Sequence, residues 1–386
     1  MRKLAERLVE YVVLANDPAV PLAAADFWAH SVTYYRDAAA TAEALAAGKA
    51  HVADALRAVA GEPQSGRYEA RLIDALTAEL TIDGDRAAEV GRVLDRCDEN
   101  VYVRYHLGLG YQPATPPVEL AEAAGLSSLR APAPAGEPLV VIGLRDRTGG
   151  ARARNLLACL AALRDQSLVP TIVVVETDSE PRWRELIEPL VDRYIFARHD
   201  GPYNKSWGAN VGVVHGAPEA SSICVLDADI LPDRDFVARN VTRLRDGEYD
   251  AHLPFEILTA MDAPASSRAI RSRCAAGLPD VPAEEIRALL LRDVPGACLW
   301  IRREFYERLG GLDERFQGWG GEDDDFLARM QAGGRVRRYD DRLLHLAHPR
   351  PAMVDAQGRP FNAHLKPLTW TAAEGFGRLS GPSESK

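Results

Sequence analysis

Long apolar runs are missing from this chain. No stretch of its 386 residues reaches the ~20 consecutive apolar residues that a membrane-spanning helix needs. The opening segment Met1-Arg2-Lys3-Leu4-Ala5-Glu6-Arg7-Leu8-Val9-Glu10 places acids where a signal peptide would carry its apolar core. Cysteine is scarce as well. Cys97, Cys159, Cys224, Cys274 and Cys298 are odd in number and show no paired spacing, which suggests neither a disulfide framework nor a zinc cluster and makes reducing cytoplasm the simplest compartment. A surplus of positive charge is absent too. With 46 basic and 56 acidic residues the net charge is −10, so neither nucleic acid nor an anionic membrane is an expected partner. No internal repeat is present, and the length predicts two or three domains with ample core.

Residues 1–110 are rich in alanine and read as an α-helical N-terminal domain. Leu4, Leu8, Tyr11 and Val12 share one helical face, as do Trp28, Val32 and Tyr35. Residues 111–138 contain Pro113, Pro116, Pro117, Pro132, Pro134 and Pro138 and read as a Pro-rich linker interrupted by one short helix. From Leu139 the rhythm changes. A strand over 139–142 precedes an amphipathic helix with Leu156, Leu160 and Leu163; a strand over 171–175, a helix over 185–191 and strands over 194–196 and 297–302 follow. This alternation predicts an α/β domain over 139–370, a Rossmann-like, mostly parallel sheet with helices on both faces. Residues 371–386, rich in Gly and Ser, read as a flexible tail.

Two acidic motifs stand out. Ser222-Ile223-Cys224-Val225-Leu226-Asp227-Ala228-Asp229 reads as a buried strand running into a loop, and ligands of open α/β sheets bind beyond such strand ends. Side chains two apart on extended backbone share a face, so one carboxylate can meet a divalent metal while the other takes a hydroxyl or a metal-bound water. Further on, Phe316-Gln317-Gly318-Trp319-Gly320-Gly321-Glu322-Asp323-Asp324-Asp325 joins an aromatic and three glycines to four carboxylates at a helix start. The macrodipole alone accounts for acids there, and Asp324 and Asp325 read that way. His345-Leu346-Ala347-His348 has metal-ligand spacing, but Leu346 stands where a zinc hydrolase would need Glu.

In this order the motifs resemble the metal-dependent glycosyltransferases of the GT-A fold, most closely the β-1,4-galactosyltransferases and the bacterial chondroitin polymerases. The likeness covers about 139–351 and has no counterpart before it. It implies a GT-A fold and inverting transfer from a UDP-sugar donor to a hydroxyl acceptor. Asp227-Ala228-Asp229 matches the donor metal motif, which makes Asp229 the implied metal ligand and Asp227 a donor contact. Trp319, Gly320 and Gly321 fall on the acceptor side. Asp323 matches the general base, and Glu322 holds the acceptor or orients the site. Arg145 and Arg147 match the Arg-x-Arg that meets the nucleotide at the end of the first strand. Lys205 and Asn210 match the helix beside the diphosphate, and Asp178 sits where related folds bind uracil or ribose, within an altered signature Glu176-Thr177-Asp178-Ser179. A metal-binding histidine is implied after the acidic helix and one more strand; His345 fits best and His348 is the alternate. Imidazole together with carboxylate and diphosphate oxygens favours Mn²⁺, with Mg²⁺ as second choice.

Retaining relatives carry Asn where this chain has Asp323, so the carboxylate favours inversion. Animal relatives are usually membrane-anchored; the lack of such an anchor here makes a free, bacterial-type cytoplasmic enzyme the expectation. Glycines around Trp319 and the 349–360 segment are expected to form lids over a bound donor. The N-terminal helices are expected to recognise the acceptor or to form a homodimer. Two other classes compete. A sugar-phosphate nucleotidyltransferase would want a Gly-rich loop after its first strand, which Gly143-Leu144-Arg145-Asp146-Arg147 does not supply. A non-catalytic sugar-nucleotide-binding module would not need Asp229, Asp323 and a candidate histidine together.

Overall fold

Between Arg2 and Asn100 the alanine-rich sequence winds into six helices, Arg2–Asn16, Ala19–Ala23, Ala25–Ala46, Ala50–Gly61, Gly66–Ile82 and Gly84–Asn100. The computed structural model describes residues 1–128, 137–355, 357–372 and 375–379. Leu8, Tyr11, Val12, Tyr35, Leu72, Leu76 and Leu94 are buried among these helices, and Asp83 caps the last one by accepting from the Arg86 N–H. The strand Val103–Leu107 follows, antiparallel to Arg287–Arg292, which pairs in turn with Ile257–Met261. The first of two compact units thus comprises Met1–Ala114, Ile257–Ala265 and Pro282–Asp293. Buried Arg287 is compensated by Asp17 and Asp262, and the Tyr111 hydroxyl donates to Asp262 at 2.6 Å. The alternation predicted no strand at Ile257–Met261 or Arg287–Arg292, the two that complete the helical unit. In the expected linker, Leu120–Ser128 is helical and belongs to the second unit, while residues 129–136 lie outside the described residues.

The second unit is built on a seven-stranded sheet in the order Val336–Arg338, Ala251–Leu253, Cys298–Arg302, Ser222–Asp227, Leu139–Leu144, Thr171–Asp178 and Arg193–Arg198. All strands run one way except Cys298–Arg302, which is antiparallel to both neighbours. Its central strands are continuous apolar runs because both faces are covered, the usual state of parallel sheets. Val141, Val173 and Val175 pack with Ala209, Val211 and Val213 of the helix Lys205–His215 and with Ile301, Phe305, Phe326 and Met330. Val140, Ile142, Ile172 and Val174 alternate to the opposite face and are equally buried. The register sets Gly143 beside Asp227 and Leu144 beside Glu176, so the acidic residues gather at the carboxyl ends of the parallel strands.

The Lys205–His215 helix lies unusually close to this sheet. A Cβ at Gly212 would overlap the Val141 side chain, and one at Gly208 would stand 2.8 Å from Thr177 Oγ1. The expected tail departs from expectation in part: residues 375–379 are docked, with Phe376 in edge contact with Tyr306 and the Gly377 N–H donating to Glu314 at 2.6 Å. Gly212→Ala is expected to destabilise the second unit by about 1–3 kcal/mol, the usual cost of overpacking a tight interior. Denaturant unfolding followed by near-UV circular dichroism checks it; an unchanged midpoint would show that helix and sheet can separate freely.

Candidate active site

Beyond Asp227 the chain turns through Ala228 and Asp229 into a two-residue strand, Ile230–Leu231, which pairs antiparallel with Leu343–His345. Ile230 faces His345, and the Leu346 N–H donates to the Asp229 carbonyl at 2.8 Å. This short ladder brings two distant motifs to one point. One ligand atom each from Asp229, His345 and His348 lies within 4.8 Å of the other two. His348 Nε2 is 2.9 Å from Asp229 Oδ2, and His345 Nε2 is 3.3 Å from Oδ1. Both histidines weighed from sequence therefore reach the same carboxylate.

This group fits a divalent cation on its own chemistry. Asp229 is buried, and its Oδ1 has no hydrogen-bond donor. Burial would raise its pKa, but His345, His348 and Arg152 hold the carboxyl well below the usual range. Burial lowers the pKa of His345 in turn, against the opposing pull of Asp229. His348 Nδ1 lies 2.9 Å from the Pro349 carbonyl, a contact that orients the ring with Nε2 toward Asp229. The loop is fixed from behind: Ala347 donates its N–H to Ser266, and its carbonyl accepts from Arg154 at 3.0 Å.

Beside this group, Lys205 Nζ lies 3.0 Å from Asp227 Oδ1 and 2.9 Å from Asp323 Oδ2. The donor motif and the Trp-Gly-Gly-Glu-Asp motif are joined through one ammonium. Burial opposes its charge, but Asp227 and Asp323 keep Lys205 protonated well above the ordinary lysine range. Glu322 is pushed up to about 7, first by burial and then by Asp323. Asp323 sits at the start of the helix Glu322–Gly333, against the backbone of Gly296, where any Cβ would overlap its Oδ2. The adjoining Ala297 has φ +72°, and its carbonyl accepts from the Asp227 N–H at 2.9 Å.

The remaining expected residues divide. Arg145 spends its guanidinium on the carbonyls of His199 and Gly201, each at 2.8 Å, and so fixes that loop. Arg147, 45% exposed, is bonded to Asp178, which is buried and also 3.4 Å from Arg182. Asn210 faces the interior rather than a donor. Its amide donates to Leu312 O and Glu314 Oε1 and accepts from Tyr306 and the Leu312 N–H, so all four hydrogen-bonding positions are filled. Asp325 is bound to Arg329 at 2.8 Å, in keeping with a helix-start charge. Trp319 is 42% exposed on a loop whose Gly318, Gly320 and Gly321 all have positive φ. That loop is tied down: Asn362 donates to the Gly320 carbonyl at 2.8 Å, and Gly318 donates to Tyr203 O at 2.7 Å.

Sequence reasoning missed Arg152, whose guanidinium is 3.7 Å from Asp229. Its signal was indirect. Asp146, between the two expected arginines, accepts from the N–H groups of Thr148, Arg152 and Ala153 and so fixes the start of the helix carrying Arg152. Gly296 was missed because its requirement is tertiary.

Residues 148–310 match the family described as glycosyl transferase family 2, and residues 291–350 match the family described as N-terminal domain of galactosyltransferase. The first span holds Lys205, Asp227 and Asp229; the second holds Glu322, Asp323, His345 and His348. The chain is a glycosyltransferase. Its sheet and strand-end site agree with the GT-A fold. No curated protein sequence matches the transferase significantly. Among solved structures it is similar to the catalytic domain of Drosophila β1,4-galactosyltransferase 7 in complex with xylobiose, at 19% identity and a TM-score of 0.34, covering 60% of this chain and 74% of that one. A mutant of the same Drosophila enzyme, in complex with manganese, UDP-Gal and xylobiose, is similar at 18% identity and a TM-score of 0.34, covering 54% and 71%. S. aureus TarS 1–349 in complex with UDP is similar at 12% identity and a TM-score of 0.37, covering 55% and 60%.

The raised pKa of Glu322 has a stability consequence in the metal-free transferase. The folded state retains a proton that the unfolded chain releases above pH 4.5, so the contribution of Glu322 is full below that pH and is lost as pH rises through about 7. The fall in Tm between pH 5 and 7.5 should therefore be smaller in Glu322→Gln than in the wild type. Parallel Tm–pH curves would refute the assignment.

Proposed function

We propose that this transferase moves a sugar from a UDP-sugar to an acceptor hydroxyl with inversion at the anomeric carbon. The observation that carries this reading is the convergence on Lys205, which ties the Asp227–Asp229 loop to Asp323. Asp229, His345 and His348 would hold a divalent cation, which supplies Lewis-acid neutralisation of the charge that grows on a departing diphosphate. Two imidazoles, where one was expected, make the donor set better suited to Mn²⁺ than to Mg²⁺. Lys205 has three N–H groups and spends two on Asp227 and Asp323; the third is left for a phosphate oxygen. Arg152 adds a second cation on the same side. Arg147 and Asp178 are proposed to line the nucleoside end.

Asp323 is proposed as the general base. Its carboxylate takes the proton of the acceptor hydroxyl as that oxygen attacks the anomeric carbon, and the bond to UDP breaks on the opposite face. Glu322, protonated below about pH 7, can donate a hydrogen bond to the acceptor, and exposed Trp319 offers a ring face for sugar stacking. The five buried cysteines are thiols rather than disulfides, which supports a reducing compartment, proposed here as cytoplasm. The helical unit, most of which precedes the matched segments, is proposed to recognise the acceptor or to mediate self-association.

Metal removal by EDTA should abolish UDP release from UDP-sugars, and Mn²⁺ should restore it more fully than Mg²⁺. Full activity of an enzyme shown to be metal-free would sink the metal assignment. Asp323→Asn keeps the side chain's shape and should lower kcat by roughly 10²–10⁴, the usual loss for a positioned base, with UDP affinity nearly intact. The product from an α-linked donor should be β-linked by NMR anomeric coupling; an α-linked product would falsify inversion.

A further inference from the structure

Residues 375–379 run across the helix that carries Lys205. Trp207 Nε1 donates to the Arg378 carbonyl at 3.0 Å, and His215 Nε2 is 2.9 Å from the Gly377 carbonyl, so the contacts reach both ends of an 11-residue helix. The Gly377 N–H donates to Glu314 Oε1, the same oxygen that accepts from Asn210 in the middle of the helix. Asn204, which caps the helix by accepting from the Trp207 N–H, donates to the Glu314 carbonyl at 2.7 Å. The approach is close enough to require glycine. Gly377 has φ +66°, and a Cβ there would stand 2.6 Å from the Asn210 carbonyl and 2.9 Å from Val214 Cγ2. Phe376 packs against Tyr306, and a Cβ at Gly311 would come within 2.9 Å of its ring.

We propose that residues 375–379 act as a strap that positions Lys205 between Asp227 and Asp323. The inference rests on Lys205 as the diphosphate contact. At Gly208 and Gly212 the helix meets the sheet with bare backbone, so its seat also depends on contacts made elsewhere along it. The strap fastens the helix at Trp207 and at His215 and ties both to Glu314, just before the loop that leads to Trp319 and Asp323. Residues 375–379 touch no reacting group; they act through Lys205.

Two variants of the full chain test this: Gly377→Val, and a chain ended after Ala372. Hydrogen exchange should rise in residues 205–215 and stay unchanged in the Gly66–Ile82 helix of the other unit. UDP affinity with Mn²⁺ present, and kcat/KM, should fall by roughly 10–100-fold, as for a misplacement on the order of an ångström. A peptide of residues 373–386 added to the shortened chain should restore part of both, and Leu379→Ala, a change at a half-exposed side chain, should behave as wild type. Exchange in 205–215 equal to wild type in a folded variant would overturn the proposal. So would exchange rising equally in every helix, or UDP affinity and kcat/KM unchanged while exchange in 205–215 rises. If the wild-type chain itself binds no UDP, the assignment of Lys205 to the donor fails, and the exchange measurement alone still decides whether the strap holds the helix.

Discussion

One ammonium group holds the candidate active site of this transferase together. Asp227 comes from the end of a central strand and Asp323 from the first turn of a helix far along the chain, and the two carboxylates would repel in a half-buried setting. Lys205 sits between them at hydrogen-bonding distance from both, only 17% exposed. Removing one partner of such a group leaves an uncompensated charge, which is why its members depend on each other far more than surface ion pairs do. The backbone around it is shaped to allow the contact. Gly296 leaves room for the Asp323 carboxylate, and Ala297 takes a left-handed conformation that lets its carbonyl meet the Asp227 N–H.

Much of this was legible in the sequence. The apolar runs at 139–142 and 171–175 forecast parallel strands, since only a sheet covered on both faces tolerates such continuity. The motifs forecast Asp227, Asp229, Lys205, Glu322 and Asp323 as one site because each residue type suits a diphosphate, a cation or a proton. Asn210 shows the limit of that reasoning. Its place in the motif suggested a donor contact, but its four bonds are all internal, and a sequence carries no trace of which way an amide points. The two histidines show another limit: their spacing suggested a choice between them, whereas the ladder between Ile230–Leu231 and Leu343–His345 delivers both to Asp229. Two-residue strands fall below any periodicity, so the ladder itself was invisible.

The helical unit was also only half legible. Periodic apolar faces marked its helices, but nothing local in residues 257–265 or 282–293 indicated that they complete it. Strands of a small antiparallel sheet read the same wherever the sheet belongs. The division of the chain is therefore not one cut in a Pro-rich segment. A fragment beginning near residue 135 would carry Arg287–Arg292 without its partner Val103–Leu107, and would leave Arg287 without Asp17.

The electrostatics of the site explain why it suits a ligand and not merely a fold. Asp229 has a buried oxygen with no donor, Asp227 and Glu322 have pKa values raised chiefly by burial, and Lys205 and Arg152 face the same space. A structure selected for stability alone would fill such a place with apolar side chains, because buried ion pairs rarely repay their desolvation. Here cationic groups and two histidines surround carboxylates that are only partly satisfied. A cation on one side and an anionic, hydroxyl-bearing ligand on the other, as proposed above, would relieve that imbalance. The groups left partly satisfied are those that a sugar diphosphate with its metal would meet, and perturbed pKa values of this kind mark candidate functional sites.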